Sequence, residues 1–226
     1  MWPKSLGEQG FAIISDALDD QDISRTEQSL ASASIRRSKA GVRHALARPE
    51  IAGLANGSRL LDIARRVLGS HAFPFRATLF DKSPLSNWLV AWHQDTALPL
   101  REKREAPGWG PWSVKEGVTY SRAPALALGQ VLALRIHLDD SAARNGPLRV
   151  LPGTHTMGVL SNDAIRRLTS HVTSVVCIAS KGSVLAMRPL LVHASSKSHS
   201  EMPRRVLHVE YASSRVIDDG LELAVA

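Results

Sequence analysis

From residue 71 onward the chain is cut into short aliphatic and β-branched runs separated by Gly, Pro and Ser: FPFRATLFDKSP, NWLVAWHQD, QVLALRIHLDD, RVLPGTH, HVTSVVCIAS, GSVLAMRPLLVHAS and RRVLHVEYAS. Such runs have the composition and length of strands. Many short strands at fairly even spacing restrict the fold to an all-β sandwich, jelly roll or barrel. QVLALRIHLDD alternates, with Val131, Ala133, Arg135 and His137 on one parity and Leu132, Leu134, Ile136 and Leu138 on the other. That predicts a half-buried strand, apolar on one side and polar on the other.

The first 70 residues read differently. GFAIIS (10–15) is β-like, and residues 20–32 predict a helix with acidic residues at its start, where the dipole favours them. SRLLDIARRVLG predicts a second helix, with Ser58 as N-cap, an apolar stripe of Leu60, Leu61, Ala64, Val67 and Leu68, and Gly69 as C-cap. Residues 99–129, holding PLREKREAPGWGPWSVKEG, are the least strand-like part and read as a long inserted loop. The 226 residues suit a single domain, 1–226, with an N-terminal strand and helices over 1–70 and a β core over 71–215.

One cysteine, Cys177, excludes an internal disulfide framework and any multi-cysteine metal site. MWPKSLGEQG has no apolar segment after a basic start, and no run approaches bilayer length, so a cytoplasmic protein with no membrane partner is the expectation. A net charge of +7 and a pI near 10.1 invite a nucleic-acid reading. The basic residues, however, are scattered and mixed with acids, as in LREKRE, so no nucleic-acid partner is expected. The densest basic stretch, residues 36–48, reads first as a solvated face and second as a loop meeting an anionic ligand.

WLVAWHQD (88–95) places His93 and Asp95 on one parity with Leu89 and Ala91, and Trp88, Val90 and Trp92 on the other. In a strand, His93 and Asp95 then project to the same face. The pair is a metal half-site, a catalytic His–carboxylate pair or a chance surface pairing. Of the nine histidines, His193 stands out as its partner because it ends the apolar run MRPLLVHASS just before a Ser-rich turn. Two His and one carboxylate, two of them at H-x-D spacing, form the facial triad used by non-haem Fe(II) oxygenases, although zinc is also bound by such a set. Arg204 and Arg205 open the run after His193, and an inward guanidinium there suits a carboxylate gripped by two hydrogen bonds.

The ordered series H-Q-D, R-I-H-L-D-D, N-G-P-L-R-V-L-P-G-T-H and P-L-L-V-H-A-S-S followed by P-R-R resembles the phytanoyl-CoA dioxygenase family of Fe(II)/2-oxoglutarate oxygenases. The resemblance runs over residues 10–211 and includes the FDKSP-x-SNW approach to His93. It implies a double-stranded β-helix (a cupin-like jelly roll), mainly β with flanking helices. It also implies Fe(II) as metal and 2-oxoglutarate and O₂ as cosubstrates, with release of succinate and CO₂. Carried over by position, it makes His93, Asp95 and His193 the iron ligands and Arg204, eleven residues after His193, the 2-oxoglutarate arginine, with Arg205 as the alternative if the strand phase is shifted. Ser195 is expected to share the distal carboxylate, and Gln94 and Asn87 to approach the cosubstrate. NGPLRVLPGTH is expected to bracket the pocket mouth, its Asn145 and Gly146 making a tight turn. Gly182 is followed by Ser183 where many members carry an acid, a local turn difference. Asp95 separates the chain from halogenating relatives, which lack that carboxylate.

The implied reaction is hydroxylation, or a related oxidation such as desaturation or ring formation, of a small-molecule substrate. Trp109 and Trp112 in the insertion read equally as a lid over the substrate and as anchors packing the loop. Two other classes fit parts of the pattern. One is a cupin-like metal protein that does not use 2-oxoglutarate (a zinc hydrolase, an isomerase or a non-catalytic binder), which needs neither Arg204 nor Ser195. The other is a basic nucleic-acid-binding β domain, which needs aromatic and basic residues interleaved on one exposed strand face.

Overall fold

The computed structural model describes residues 2–31, 41–83 and 86–225. Residue 32 of the expected first helix, residues 36–40 of the basic stretch, and Pro84 and Leu85 of the approach to His93 lie outside the described residues. The elements run α1 (Trp2–Gln9), β1 (Phe11–Ile14), α2 (Asp20–Ala31), α3 (Pro49–Ala55), α4 (Ser58–Leu68), β2 (Phe73–Lys82) and β3 (Val90–His93). They continue with β4 (Ala97–Leu100), β5 (Trp112–Lys115), β6 (Val118–Arg122), α5 (Ala125–Gly129), β7 (Val131–His137), β8 (Leu148–Val150), α6 (Asn162–His171) and β9 (Val175–Cys177). The last are β10 (Val184–Met187), β11 (His193–Ser195), β12 (Arg204–Ala212), β13 (Val216–Ile217) and β14 (Leu221–Glu222).

Two antiparallel sheets face each other as a jelly roll. The larger has the order β1-β10-β7-β12-β2 and the smaller β3-β11-β8-β9. Alternation along the strands of the larger sheet divides its residues between two environments. On β2, Ala77 and Leu79, on β7, Leu132, Leu134 and Ile136, and on β12, Leu207, Val209 and Tyr211 pack against the helices, meeting Ile23, Ile51, Leu60 and Ala64. Each large apolar side chain buried this way contributes about 1.5–3 kcal/mol. The opposite parity, Arg76, Thr78, Phe80 and Lys82 on β2, Arg135 on β7 and Arg204, His208 and Glu210 on β12, faces a cavity between the sheets. Beside the cavity the sheets are packed together by Phe11, Ala133, Leu148, Val150, Leu185 and Met187.

β7 therefore corrects the half-exposed strand expected from its alternation: all seven residues are buried. Its polar parity is turned to the interior of the jelly roll, because the second sheet covers the side that the sequence pattern assigns to water. Helix α4 matches its expected span, but Gly57, in extended conformation, is the N-cap and Ser58 is the first helical residue. Helix α6 has no counterpart among the expected elements, although its Ser161 cap accepts from Ala164 N at 3.2 Å.

The stretch expected as an inserted loop also carries structure. β4, β6 and β5 form a three-stranded antiparallel sheet, and α5 follows directly. Trp109 and Trp112 pack there with Phe75, Leu98, Leu100 and Leu128, so of their two readings the structure has the anchoring one. High charge in LREKRE masks the strands, which are short and exposed along β5. No helix of the described residues is long and apolar enough to cross a membrane.

Candidate metal centre and cosubstrate pocket

His93 closes β3 and His193 opens β11, and the two stand directly opposite in the register. Asp95 lies just past the strand, its backbone N–H donating to Pro189 O at 2.9 Å. The carboxylate bridges the rings: His93 Nε2 is 3.6 Å from Asp95 Oδ1 and His193 Nε2 is 3.6 Å from Asp95 Oδ2. One donor atom from each of the three residues lies within 4.8 Å of the others.

Both imidazoles are held in the same way. His93 Nδ1 lies 2.8 Å from Ala91 O and His193 Nδ1 2.9 Å from Leu191 O, in each case the carbonyl two residues back. A carbonyl only accepts, so each Nδ1 carries the proton and each Nε2 presents its lone pair toward Asp95. Two imidazole lone pairs and a carboxylate converging on one point fit a divalent metal of the iron or zinc type. Burial raises the Asp95 carboxyl, but the two imidazoles outweigh it and hold it well below the usual carboxylate range. Burial pushes His193 down to about 4, so that ring is neutral and ligand-ready at neutral pH.

The β3 register explains how the triad forms and corrects the expected parity. His193 pairs with His93 but Ser195 pairs with Val90, so β3 carries one residue more than β11 between these pairs. This β-bulge reverses which parity points inward. Trp88 and Val90 consequently line the same cavity as His93 and Asp95, instead of packing on the opposite side. Trp92 goes to the other face, beside Leu151, Ile165 and Val192, with the Arg149 guanidinium 5.2 Å over its ring.

The cavity has a volume of about 220 Å³. At the end away from Arg76, Arg204 stands opposite Lys82 in the register, and both are buried. Lys82 Nζ donates to Ser195 Oγ at 2.9 Å and to Ser196 O. Burial, with Arg204 and Arg135 nearby, pushes the Lys82 amine down to about 7. Arg204 Nε donates to Asn145 O at 3.2 Å, and burial brings its guanidinium down to about 10. At the other end, Arg76 is paired with the buried Glu210, and Arg43, from the basic stretch, reaches Glu116 at 3.0 Å.

A phytanoyl-CoA dioxygenase (PhyH) family profile matches residues 6–206. The chain belongs to the phytanoyl-CoA dioxygenase family. Ectoine dioxygenase of Sphingopyxis alaskensis is 29% identical over 107 residues, covering 47% of this chain and 28% of that relative's length. Solved structures share the fold at lower identity. AviO1 from Streptomyces viridochromogenes Tue57 superposes with a TM-score of 0.69 at 22% identity, covering 98% of this chain and 95% of its own. EctD from S. alaskensis with 2-oxoglutarate and 5-hydroxyectoine has a TM-score of 0.69 at 19% identity, covering 92% and 74%. HygX from Streptomyces hygroscopicus with nickel and 2-oxoglutarate bound has 0.68 at 17%, covering 93% and 85%.

Within this family frame, the structure gathers His93, Asp95, His193, Ser195 and Arg204 around one cavity. Arg205 is turned away, donating to Asp139 at 2.7 and 2.9 Å and to Glu27 at 2.6 Å. Gln94 and Asn87, expected to approach the cosubstrate, do not line the cavity. Gln94 donates to Gly158 O and Leu190 O and accepts from Leu160 N. Asn87 donates to Ser198 O and accepts from Ser198 N. Their amides are engaged in bracing backbone. Lys82, Arg76 and Glu210 escaped the sequence reading. Lys82 was findable only by knowing that β2 pairs with β12 in the register that sets it opposite Arg204.

Proposed function

We propose that this protein is a non-haem Fe(II)- and 2-oxoglutarate-dependent dioxygenase. It hydroxylates an unactivated C–H bond of a small molecule, with release of succinate and CO₂. The observation that carries this reading is the pairing of two features in one cavity. One is a His–Asp–His set with both Nε2 lone pairs turned inward; the other is a buried Arg204, Lys82 and Ser195 cluster at the far end. A zinc hydrolase needs the first feature but has no use for the second. Two fold relatives, EctD and HygX, carry 2-oxoglutarate in their solved structures.

His93, Asp95 and His193 would hold the iron. When bound, iron and 2-oxoglutarate together supply the activation of O₂ that removes a hydrogen from carbon. The chain supplies the rest. Arg204 and Lys82 grip the distal carboxylate of the cosubstrate with charge-assisted hydrogen bonds, and Ser195 Oγ, already held by Lys82, joins them. Trp88, Phe80, Val90 and Leu148 line the walls and limit water around the reacting groups. Asn145, fixed by its own hydrogen bonds to Ala142 N and Asp140 O, holds Arg204 in position.

The test is succinate formation from 2-oxoglutarate by the Fe(II)-loaded protein against a library of small molecules. The reading requires that turnover depend on Fe(II) and be suppressed at least about 100-fold in Arg204→Ala, the loss of a buried charged partner. Substrate turnover without 2-oxoglutarate would contradict it.

A further inference from the structure

Arg135 is a buried charge to which the proposed function gives no role. It lies in the middle of β7, and its side chain lines the cavity. Its Nη1 is 3.1 Å from His208 Nδ1, its guanidinium lies 5.3 Å from the Phe80 ring centroid, and its Nε is buried without a partner. Among the described residues, no carboxylate lies within ion-pair distance of Arg135, Lys82 or Arg204, whereas the other two cavity cations, Arg43 and Arg76, are each paired with an acid. A buried cation with no counter-ion is costly and calls for an anion from outside the chain.

Its place along the sheet says which anion. Arg204 stands opposite Lys82; two residues along β12, Val206 stands beside His137 and Phe80; two further, His208 stands beside Arg135 and Thr78; and Glu210 stands opposite Arg76. At ~3.3 Å per residue, Arg135 is about 13 Å along the strand direction from Arg204. It stands opposite His208, to which it is hydrogen-bonded, and both line the cavity that His93, Asp95 and His193 enter from the other sheet. Arg135 and the triad thus face one cavity from opposite sheets, with Arg204 and Lys82 two inward-facing positions further along. A 2-oxo diacid has a carboxylate for each. A 2-oxo acid held at the metal by its keto and neighbouring carboxylate groups would keep a carboxylate oxygen free to accept hydrogen bonds.

Resting on the 2-oxoglutarate reading above, we propose that Arg135 binds the metal-side carboxylate of the cosubstrate, while Arg204 and Lys82 bind the distal one. The two ends of the ligand are then recognised separately. Truncating the ligand tests each arginine alone.

The experiment is an anaerobic titration of the Fe(II)-loaded protein, followed by visible charge-transfer absorbance, with 2-oxoglutarate and with 2-oxopentanoate, which lacks the distal carboxylate. Wild type, Arg135→Gln, Arg135→Lys and Arg204→Gln are compared. Arg204→Gln is expected to weaken 2-oxoglutarate by about 10–150-fold, one charged hydrogen-bonding partner, and to shift 2-oxopentanoate less than about threefold. Arg135→Gln is expected to weaken both ligands by a similar factor, about 10-fold or more, and Arg135→Lys to recover part of the loss. An Arg135→Gln effect confined to 2-oxoglutarate would put Arg135 at the distal carboxylate and overturn the assignment. No effect on either ligand would overturn it too and leave Arg135 to a substrate anion. The metal-free variant supplies the folding control. Removing an unpaired buried cation is expected to leave its melting temperature at or above wild type; a lower melting temperature with lost Fe(II) binding would make Arg135 structural and overturn the proposal. Absence of a band with either ligand in wild type would instead remove the 2-oxoglutarate reading itself.

Discussion

The two triad histidines show how little of a site depends on the residue alone. Each is oriented by a carbonyl two positions back, which takes the Nδ1 proton and leaves Nε2 free. H-x-D spacing and a histidine at a strand end point to His93, Asp95 and His193, and the family resemblance to Ser195 and Arg204; the fold brings all five to one cavity. The bracing of Gln94 and Asn87 was not legible, because the backbone groups that hold their amides come from residues 64 to 111 positions away. His137 adds a residue-scale prediction. It is buried, both ring nitrogens lack partners, and burial with Arg135 and Arg204 nearby pushes it down to about 3. With an unfolded value near 6.5, the unfolded chain binds the proton first as pH falls. The stability tied to neutral His137 is therefore complete above about pH 6.5 and is lost progressively toward pH 3. In His137→Leu the metal-free protein is expected to lose less stability between pH 7 and pH 4 than wild type, and to gain about 1–3 kcal/mol at pH 7 from removal of the unsatisfied group. Urea melts at both pH values check this, and an unchanged pH slope would contradict it.

At the scale of elements, strand existence was written in the sequence and strand facing was not. The runs around β2, β7, β10 and β12 announce themselves by composition. Which parity faces inward on β3 depends on one extra residue in its pairing with β11, and alternation carries no mark of a bulge. β7 misleads for a related reason: a polar parity facing a charged cavity looks the same in sequence as one facing water. The turn at Asn145 and Gly146 ties two elements to the site. Gly146 has φ +68°, and a Cβ there would lie 2.4 Å from Ser196 O, beside the serine pair that holds Lys82. Gly146→Ala is expected to cost more than about 1 kcal/mol, since a left-handed conformation and a backbone clash coincide. It is also expected to weaken 2-oxoglutarate binding by displacing Ser195 and Asn145. Thermal unfolding and a ligand titration on the same sample check both effects. A destabilised variant with unchanged affinity would separate the turn from the pocket.

At the scale of the whole molecule, the jelly roll joins a well-packed apolar half to a cavity in which Lys82, Arg135 and Arg204 have no acid within ion-pair distance among the described residues. The fold class could be read from strand texture, while the three-stranded sheet in the insertion could not, because its strands are short and its charges dense. Leaving Lys82, Arg135 and Arg204 without counter-ions makes folding and ligand binding strongly linked. Adding 2-oxoglutarate at about 100 times its dissociation constant to the Fe(II)-loaded protein is expected to add about 2.7 kcal/mol. For a chain of this size that is a rise of roughly 5–10 °C in melting temperature. Succinate, which has two carboxylates but no keto group, is expected to give a smaller rise, and equal rises would mean that the cavity reads charge alone.

The central claim, one cavity that joins a His–Asp–His metal centre to a 2-oxo acid, is tested most directly by adding Fe(II) and then 2-oxoglutarate to the metal-free protein under anaerobic conditions. Visible absorbance is followed, with His93→Ala alongside. The account predicts a charge-transfer band that requires both additions and is absent in His93→Ala. A wild-type protein that binds the metal tightly yet shows no band with 2-oxoglutarate would contradict it.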